Sequence, residues 1–227
     1  MNIALFGGTF DPIHAGHLRA AQVAARKFRL DKVLFVPCGN PPHKLNGHLS
    51  AFHHRFAMVT LACANESQFV PSLLEAPTAD VRSHYSIDTI RRVKRSLGPK
   101  DHLYFLIGLD AFLDLPHWKG FRQLVGLVDF IIVSRRGFSK DEIARTVPAN
   151  LLRKRRAEDD PDVIRLRKTN LHILREVDVP VASRDIRDVI SAKCTVTGLV
   201  PPLVEEYILK EGLYRRVNII DEDATPY

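Results

Sequence analysis

Much of what could organise a chain of 227 residues is scarce or missing in this one. Its three cysteines, Cys38, Cys63 and Cys194, lie far apart with no CxxC pair, which argues against a disulfide framework and against a cysteine-based zinc site. No apolar run approaches the ~20 residues that cross a bilayer. Met1 leads straight into a strand-like segment, with neither a basic region nor a signal-peptide core after Asn2, so the expected location is cytoplasmic. Neither of the phosphate-binding glycine loops GxGxxG and GxxxxGK[ST] occurs. No acidic cluster marks a metal cage built by protein carboxylates, and there is no internal repeat and no clear linker.

The chain instead has ordinary soluble proportions, 45% hydrophobic and 26% charged residues, and a net charge of +7. A globular chain of this length buries roughly 70% of its unfolded surface and needs no covalent staple. The positive balance leaves two kinds of partner open, a nucleic acid or a small, highly anionic substrate. The basic stretch 151–172 mixes seven Lys/Arg with four Asp/Glu and contains no aromatic residue, which reads as a solvated surface segment rather than a nucleic-acid groove.

Short apolar runs recur as NIALFGG, DKVLFVPC, HLYFLIGL, VDFIIVSR and LHILREVDVP, each bounded by Gly, Pro, Asp or Ser. They read as strands buried on both faces. Helical patterns alternate with them. Leu18, Ala21, Ala25 and Phe28 predict an amphipathic helix over 16–28. Ser50, Ser86 and Ser183 are predicted to cap three more, and Pro201–Pro202 to open a last one. Alternation of this kind predicts an α/β fold, a doubly wound parallel sheet with helices on both faces, in a single domain. Residues 1–215 are expected to form that domain, with an exposed insertion near 153–162 and a tail at 216–227.

In such a sheet ligands bind beyond the carboxyl ends of the strands. The stretch ALFGGTFDPIHAGHLRAA (4–21) places Gly7 and Gly8 where the first strand ends, then Pro12, His14, Gly16 and His17. Glycines there let a ligand approach the backbone, and the helix that follows offers free N–H groups and the positive end of its dipole to an anion. That makes a site for an anion, with the two histidines standing over it. Two histidines three apart without further ligands do not make a zinc site.

GGTFDPIHAGH resembles the GxFxPxHxGH signature of the nucleotidyltransferase superfamily, which is Rossmann-like and joins nucleoside triphosphates to phosphate-bearing substrates. More specifically, VPCGNPPHK (36–44), HYSIDTI (84–90), LIGLDAFLDLPHW (106–118) and VDFIIVSRRG (128–137) resemble, in order, segments of the bacterial nicotinate mononucleotide adenylyltransferases. The resemblance implies that Gly7, Gly8, Thr9, Phe10, His14, His17, Lys44, Gly108, Asp110, Ser134, Arg135, Ser183, Ile186 and Arg187 meet ATP, with His14, His17 and Arg187 catalytic. It implies that His43, Lys44, Tyr85, Ser86 and Trp118 meet the nicotinate nucleotide. Trp118 would stack on the pyridine, and Ser86 would stand by its carboxylate at a helix start. VASRDIR (181–187) departs from the family's pattern, with Arg184 in place of a threonine.

The implied reaction joins ATP and nicotinate mononucleotide to give deamido-NAD and pyrophosphate, without a protein nucleophile. Mg2+ would ride on the phosphates. The implied partners are these two substrates, with no nucleic acid and no membrane, and assembly into a homo-oligomer stays open. The rival readings are another adenylyltransferase of the superfamily, such as one acting on phosphopantetheine, and a basic nucleic-acid-binding module.

Overall fold

The structure is a computed structural model and describes residues 1–39, 49–78, 84–134, 140–154, 156, 158–175, 177 and 181–215. Strand β1 (Asn2–Gly8) leads into helix α1 (Ala15–Lys27), then β2 (Lys32–Pro37), α2 (Phe52–Cys63), β3 (Phe69–Pro71) and α3 (Ser86–Ser96). The second half runs β4 (His102–Gly108), α4 (Leu109–Leu113), α5 (Phe121–Leu124), β5 (Asp129–Val133), α6 (Lys140–Thr146), β6 (Val163–Arg165), β7 (Asn170–Leu174), α7 (Ser183–Ser191) and α8 (Pro202–Lys210).

The strands form one sheet in the order β3-β2-β1-β4-β5-β7-β6. Side chains along β1 alternate between its two sides. Ala4 and Phe6 join a core with α1, α2, α7 and α8, while Ile3 and Leu5 join a second core with α3, α4, α5 and α6. A strand that is apolar at both parities can be covered on both faces, which is why NIALF carries no polar residue after Asn2. The chain order reverses between β1 and β4, leaving a crevice where α1 and α4 depart to opposite faces.

Three expectations need correction. The sheet is parallel except at one edge, where β6 pairs antiparallel with β7 through Val163↔His172 and Arg165↔Asn170. The three serines do not cap their helices. The N-cap positions are Ala51, Tyr85 and Ala182, with Ser86 and Ser183 as first helical residues and Ser50 one residue outside. Ser183 cannot cap because its hydroxyl is engaged elsewhere, donating to the Pro12 carbonyl at 2.9 Å. The start of α1 is also less open to an anion than expected, since its first N–H, from Ala15, donates to the Leu199 carbonyl at 2.8 Å.

Candidate active site

The loop that follows β1 is held by side chains from three distant segments. Arg55 Nη1 donates to the Thr9 carbonyl at 2.9 Å, Arg187 Nη1 to the Asp11 carbonyl at 2.7 Å, and Ser183 Oγ to the Pro12 carbonyl. Between them Phe10 adopts a left-handed backbone (φ 50°), which costs a residue with a Cβ roughly 1–2 kcal/mol. Its ring is locked against Phe6 and Phe35 at centroid distances of 5.6 and 5.8 Å, so the surrounding rings fix the turn. Gly8 is required beneath it. A Cβ there would lie 2.8 Å from the Phe10 ring.

This frame sets the histidines. His14 and His17 stack at a centroid distance of 3.7 Å, and the edge of Phe10 meets His17 at 5.0 Å. The His14 backbone N–H donates to His17 Nδ1 at 3.3 Å, so in the neutral ring the proton sits on Nε2, which is then a donor. Burial, reinforced by the neighbouring His14, pushes the His17 imidazole well below its ordinary range. Bringing a polyanion to this pair would reverse that shift, because opposite charge favours the protonated ring.

Arg55 is 1% exposed and holds more than one segment. Besides Thr9 it donates from Nε to the Ser50 carbonyl at 2.9 Å and from Nη2 to the Gly39 carbonyl at 3.3 Å. Burial lowers its pKa from the usual arginine value, opposed by Asp11, Cys38 and Tyr214. Sequence reasoning missed it, although a signal was present. Arg55 stands three residues from Phe52 and Met58 and four from Val59, on the apolar stripe of α2, where a charge is out of place unless it is used.

On the other side of the same loop lies a pocket of about 320 Å³, in the crevice between β1 and β4. It brings together Gly7, Gly8, Thr9, Tyr85, Ser86, Gly108 and Trp118, seven of the residues expected from the sequence. A Cβ on Gly108 would meet nothing within 4 Å, so that space belongs to the pocket. The Trp118 indole is fixed by its Nε1–H donating to Asp114 Oδ2 at 3.0 Å, and Asp114 Oδ1 lies 2.9 Å from His117 Nδ1. Lys119 Nζ stands 4.0 Å from the centre of the Tyr85 ring, a cation at the same end of the pocket. Glu75, in the pocket wall, is pushed up by burial and partly held down by the Thr89 hydroxyl, which donates to it at 2.8 Å.

Other expected residues take different places. Ile186 is fully buried in the core beneath α1 and α7. Ser134 is buried at the end of β5, its N–H donating to the Leu174 carbonyl at 3.0 Å, and Asp110 lies in α4 outside the pocket lining. Arg184 projects to solvent and meets Asp188 at 3.9 Å on its own helix. His43, Lys44 and Arg135 lie outside the described residues. Among the described residues no three His, Cys, Asp or Glu side chains gather as a metal site, and no helix is long and apolar enough to cross a membrane.

The doubly wound sheet thus carries a glycine–histidine loop at its switch point with a pocket of about 320 Å³ beside it, the arrangement expected of an α/β nucleotidyltransferase. Residues 5–192 match the cytidylyltransferase-like family. A protein of Solibacter usitatus named "Probable nicotinate-nucleotide adenylyltransferase" is 39% identical over 94% of this chain and 100% of its own length. One from Geobacter with the same name is 37% identical over 94% of this chain and 98% of its own. The chain therefore belongs to the nicotinate-nucleotide adenylyltransferase family. In fold it is similar to the nicotinic acid mononucleotide adenylyltransferase of Plasmodium falciparum solved with NaAD (TM-score 0.68, 22% identity, 94% of this chain and 97% of that one).

Proposed function

We propose that this chain transfers the adenylyl group of ATP to nicotinate mononucleotide, releasing pyrophosphate and forming nicotinate adenine dinucleotide. The observation that carries this reading is the placement of two unlike sites on one loop. The stacked His14–His17 pair lies on one side of Gly7–Phe10, and the Trp118 pocket lies on the other. A triphosphate at the histidines and a pyridine nucleotide in the pocket would bring their phosphates together across the loop. The relatives' names support the choice of substrates.

The mononucleotide's phosphate oxygen attacks the α-phosphorus in line. The bond from that phosphorus to the bridging oxygen breaks, and pyrophosphate leaves with the electron pair. No protein nucleophile is needed, so catalysis rests on position and charge. His17 donates from Nε2 to oxygens that gain charge in the transition state, and its stacking on His14 keeps both rings in place. ATP arrives with Mg2+ on its phosphates, and Arg187 and Lys44 are the cations assigned to its outer phosphates. In the pocket, Trp118 stacks on the pyridine while the start of α3 at Ser86 faces its carboxylate.

Pyrophosphate release with ATP and each pyridine mononucleotide in turn tests this. The acid should be preferred, because N–H donors facing an amide N–H₂ leave groups unpaired at roughly 1–3 kcal/mol each. Equal kcat/KM for acid and amide rejects the arrangement at Ser86, and no release with either rejects the function.

A further inference from the structure

Far along the chain from the signature loop, a tyrosine returns to close on it. Just beyond α8, Gly212 adopts the left-handed region (φ 62°), and the Leu213 N–H donates back to the Ile208 carbonyl at 3.0 Å. That motif turns the chain toward the sheet. Tyr214 follows, also left-handed at φ 63°, a conformation that a bulky residue holds only where its surroundings impose it.

The imposing contact is buried. The Tyr214 hydroxyl donates to Asp11 Oδ1 at 2.7 Å, across 203 positions of sequence. Asp11 is 3% exposed, and its second oxygen accepts the Ser50 N–H at 3.3 Å. Burial, with the Asp11 charge adding to it, pushes the Tyr214 phenol far above its ordinary range, so it remains a donor at any working pH.

A carboxylate buried beside a site for polyphosphate opposes binding unless it has other work. Here both its oxygens point to donors of the protein itself, and its own residue is the middle of the loop, between the Thr9 carbonyl held by Arg55 and the Pro12 carbonyl held by Ser183. Those backbone anchors fix the chain on either side. The side chain of Asp11 is what couples the loop to the C-terminal turn.

We propose that Tyr214 is a positioning residue for adenylyl transfer, its hydrogen bond to Asp11 holding the signature loop so that His14 and His17 face the reacting phosphate. This rests on the function proposed above. Tyr214 touches no substrate; it acts through the loop. Losing the hydroxyl should therefore lower kcat more than it weakens substrate binding, because Arg55, Arg187 and Ser183 still hold the Thr9, Asp11 and Pro12 carbonyls and Tyr85, Ser86, Gly108 and Trp118 line the pocket from other elements.

The test is steady-state kinetics on Tyr214→Phe, Asp11→Asn and the double variant, below the melting transition of each, with circular dichroism on the same samples. Tyr214→Phe should lose about five- to twentyfold in kcat, within the range that misplacing reacting groups produces, with KM for ATP and for the mononucleotide within about twofold. Asp11→Asn retains the volume and can still meet both partners, its oxygen accepting the Ser50 N–H and its N–H₂ donating to the phenol oxygen. It should therefore lose less than Tyr214→Phe, and the double variant should match Tyr214→Phe within about twofold. A Tyr214→Phe enzyme with the kcat of the parent overturns the proposal, whether or not its melting temperature falls. So does a double variant that falls well below Tyr214→Phe, since the carboxylate would then act on the loop without the hydroxyl. The unsubstituted chain and His17→Ala run beside them: an inactive parent, or a fully active His17→Ala, overturns the underlying function instead.

Discussion

The sheet carries a pair of neighbouring histidines toward each of its ends, and the two pairs are built in opposite ways. At the amino end, His102 Nε2 and His172 Nε2 lie 3.2 and 3.7 Å from the same Asp129 oxygen. Asn170 completes the cluster, donating its N–H at 2.9 Å and its side-chain Nδ2 at 3.3 Å to the carboxylate. Burial pushes the Asp129 carboxyl up, but His172, Asn170 and the charge of His102 outweigh it, and the group ends below its ordinary value. At the carboxyl end, His14 and His17 face each other, and His17 is held neutral by burial and by its neighbour. One pair meets a countercharge inside the fold. In the reaction proposed above, the other would meet a charge that arrives with the substrate, a catalytic rather than a structural use of the same side chain.

The largest expected effect breaks the comparison on the catalytic side. His17→Ala should lower kcat by about 10²–10³, the usual loss for one electrostatic contact to developing charge, while circular dichroism stays that of the parent. On the structural side, Asp129→Ala should leave kcat near the parent value and lower unfolding stability by about 2–3 kcal/mol, since it removes a buried acceptor and orphans the Asn170 N–H. Denaturant melts and kinetics on both variants should show opposite losses, and a shared loss would erase the distinction between the two ends.

Acidity separates the ends as well. His17 binds its proton less readily in the folded chain than in the unfolded one, so stability is complete above the ordinary value of 6.5 and erodes as pH falls below it. Asp129 is lowered too, so its effect has the same sign in a more acidic window. Its contribution is complete above the ordinary 3.8 and is lost as pH falls through its lower folded value. Melting temperature should therefore decline between neutral pH and pH 5 less steeply in His17→Ala than in the parent, and Asp129→Asn should leave that decline unchanged. Within the pocket, Trp118→Ala should raise KM for the mononucleotide about tenfold, as expected for one base-sized stack, with little change in KM for ATP. The smallest effect belongs to Arg184. Its ion pair with Asp188 is on the surface, so Arg184→Thr should leave KM for ATP within about twofold at both low and high salt. A severalfold rise that salt abolishes would instead place Arg184 at the phosphates.

The long buried strands were legible because each is an uninterrupted apolar run between turn residues, as β4 is between His102 and Gly108. β3 and β6 were not. Each is three residues long, and β6 lies inside the most charged stretch of the chain, where no apolar run announces it. The start of α7 was displaced by one residue because the Ser183 hydroxyl serves the signature loop rather than its own helix, a tertiary use that local capping rules do not see. The residues proposed to touch substrate lie in compact motifs and could be read. Arg55 and Tyr214 act on the signature loop from elsewhere in the chain, and only folding brings them to it.

The most direct test of the two-histidine contrast is a nitrogen-detected NMR titration of His17 in the free chain and with a non-hydrolysable ATP analogue. The account predicts a free imidazole that titrates well below 6.5 with its proton on Nε2, and a rise in that value when the analogue binds. A His17 titration that does not move on saturation with the analogue would contradict it.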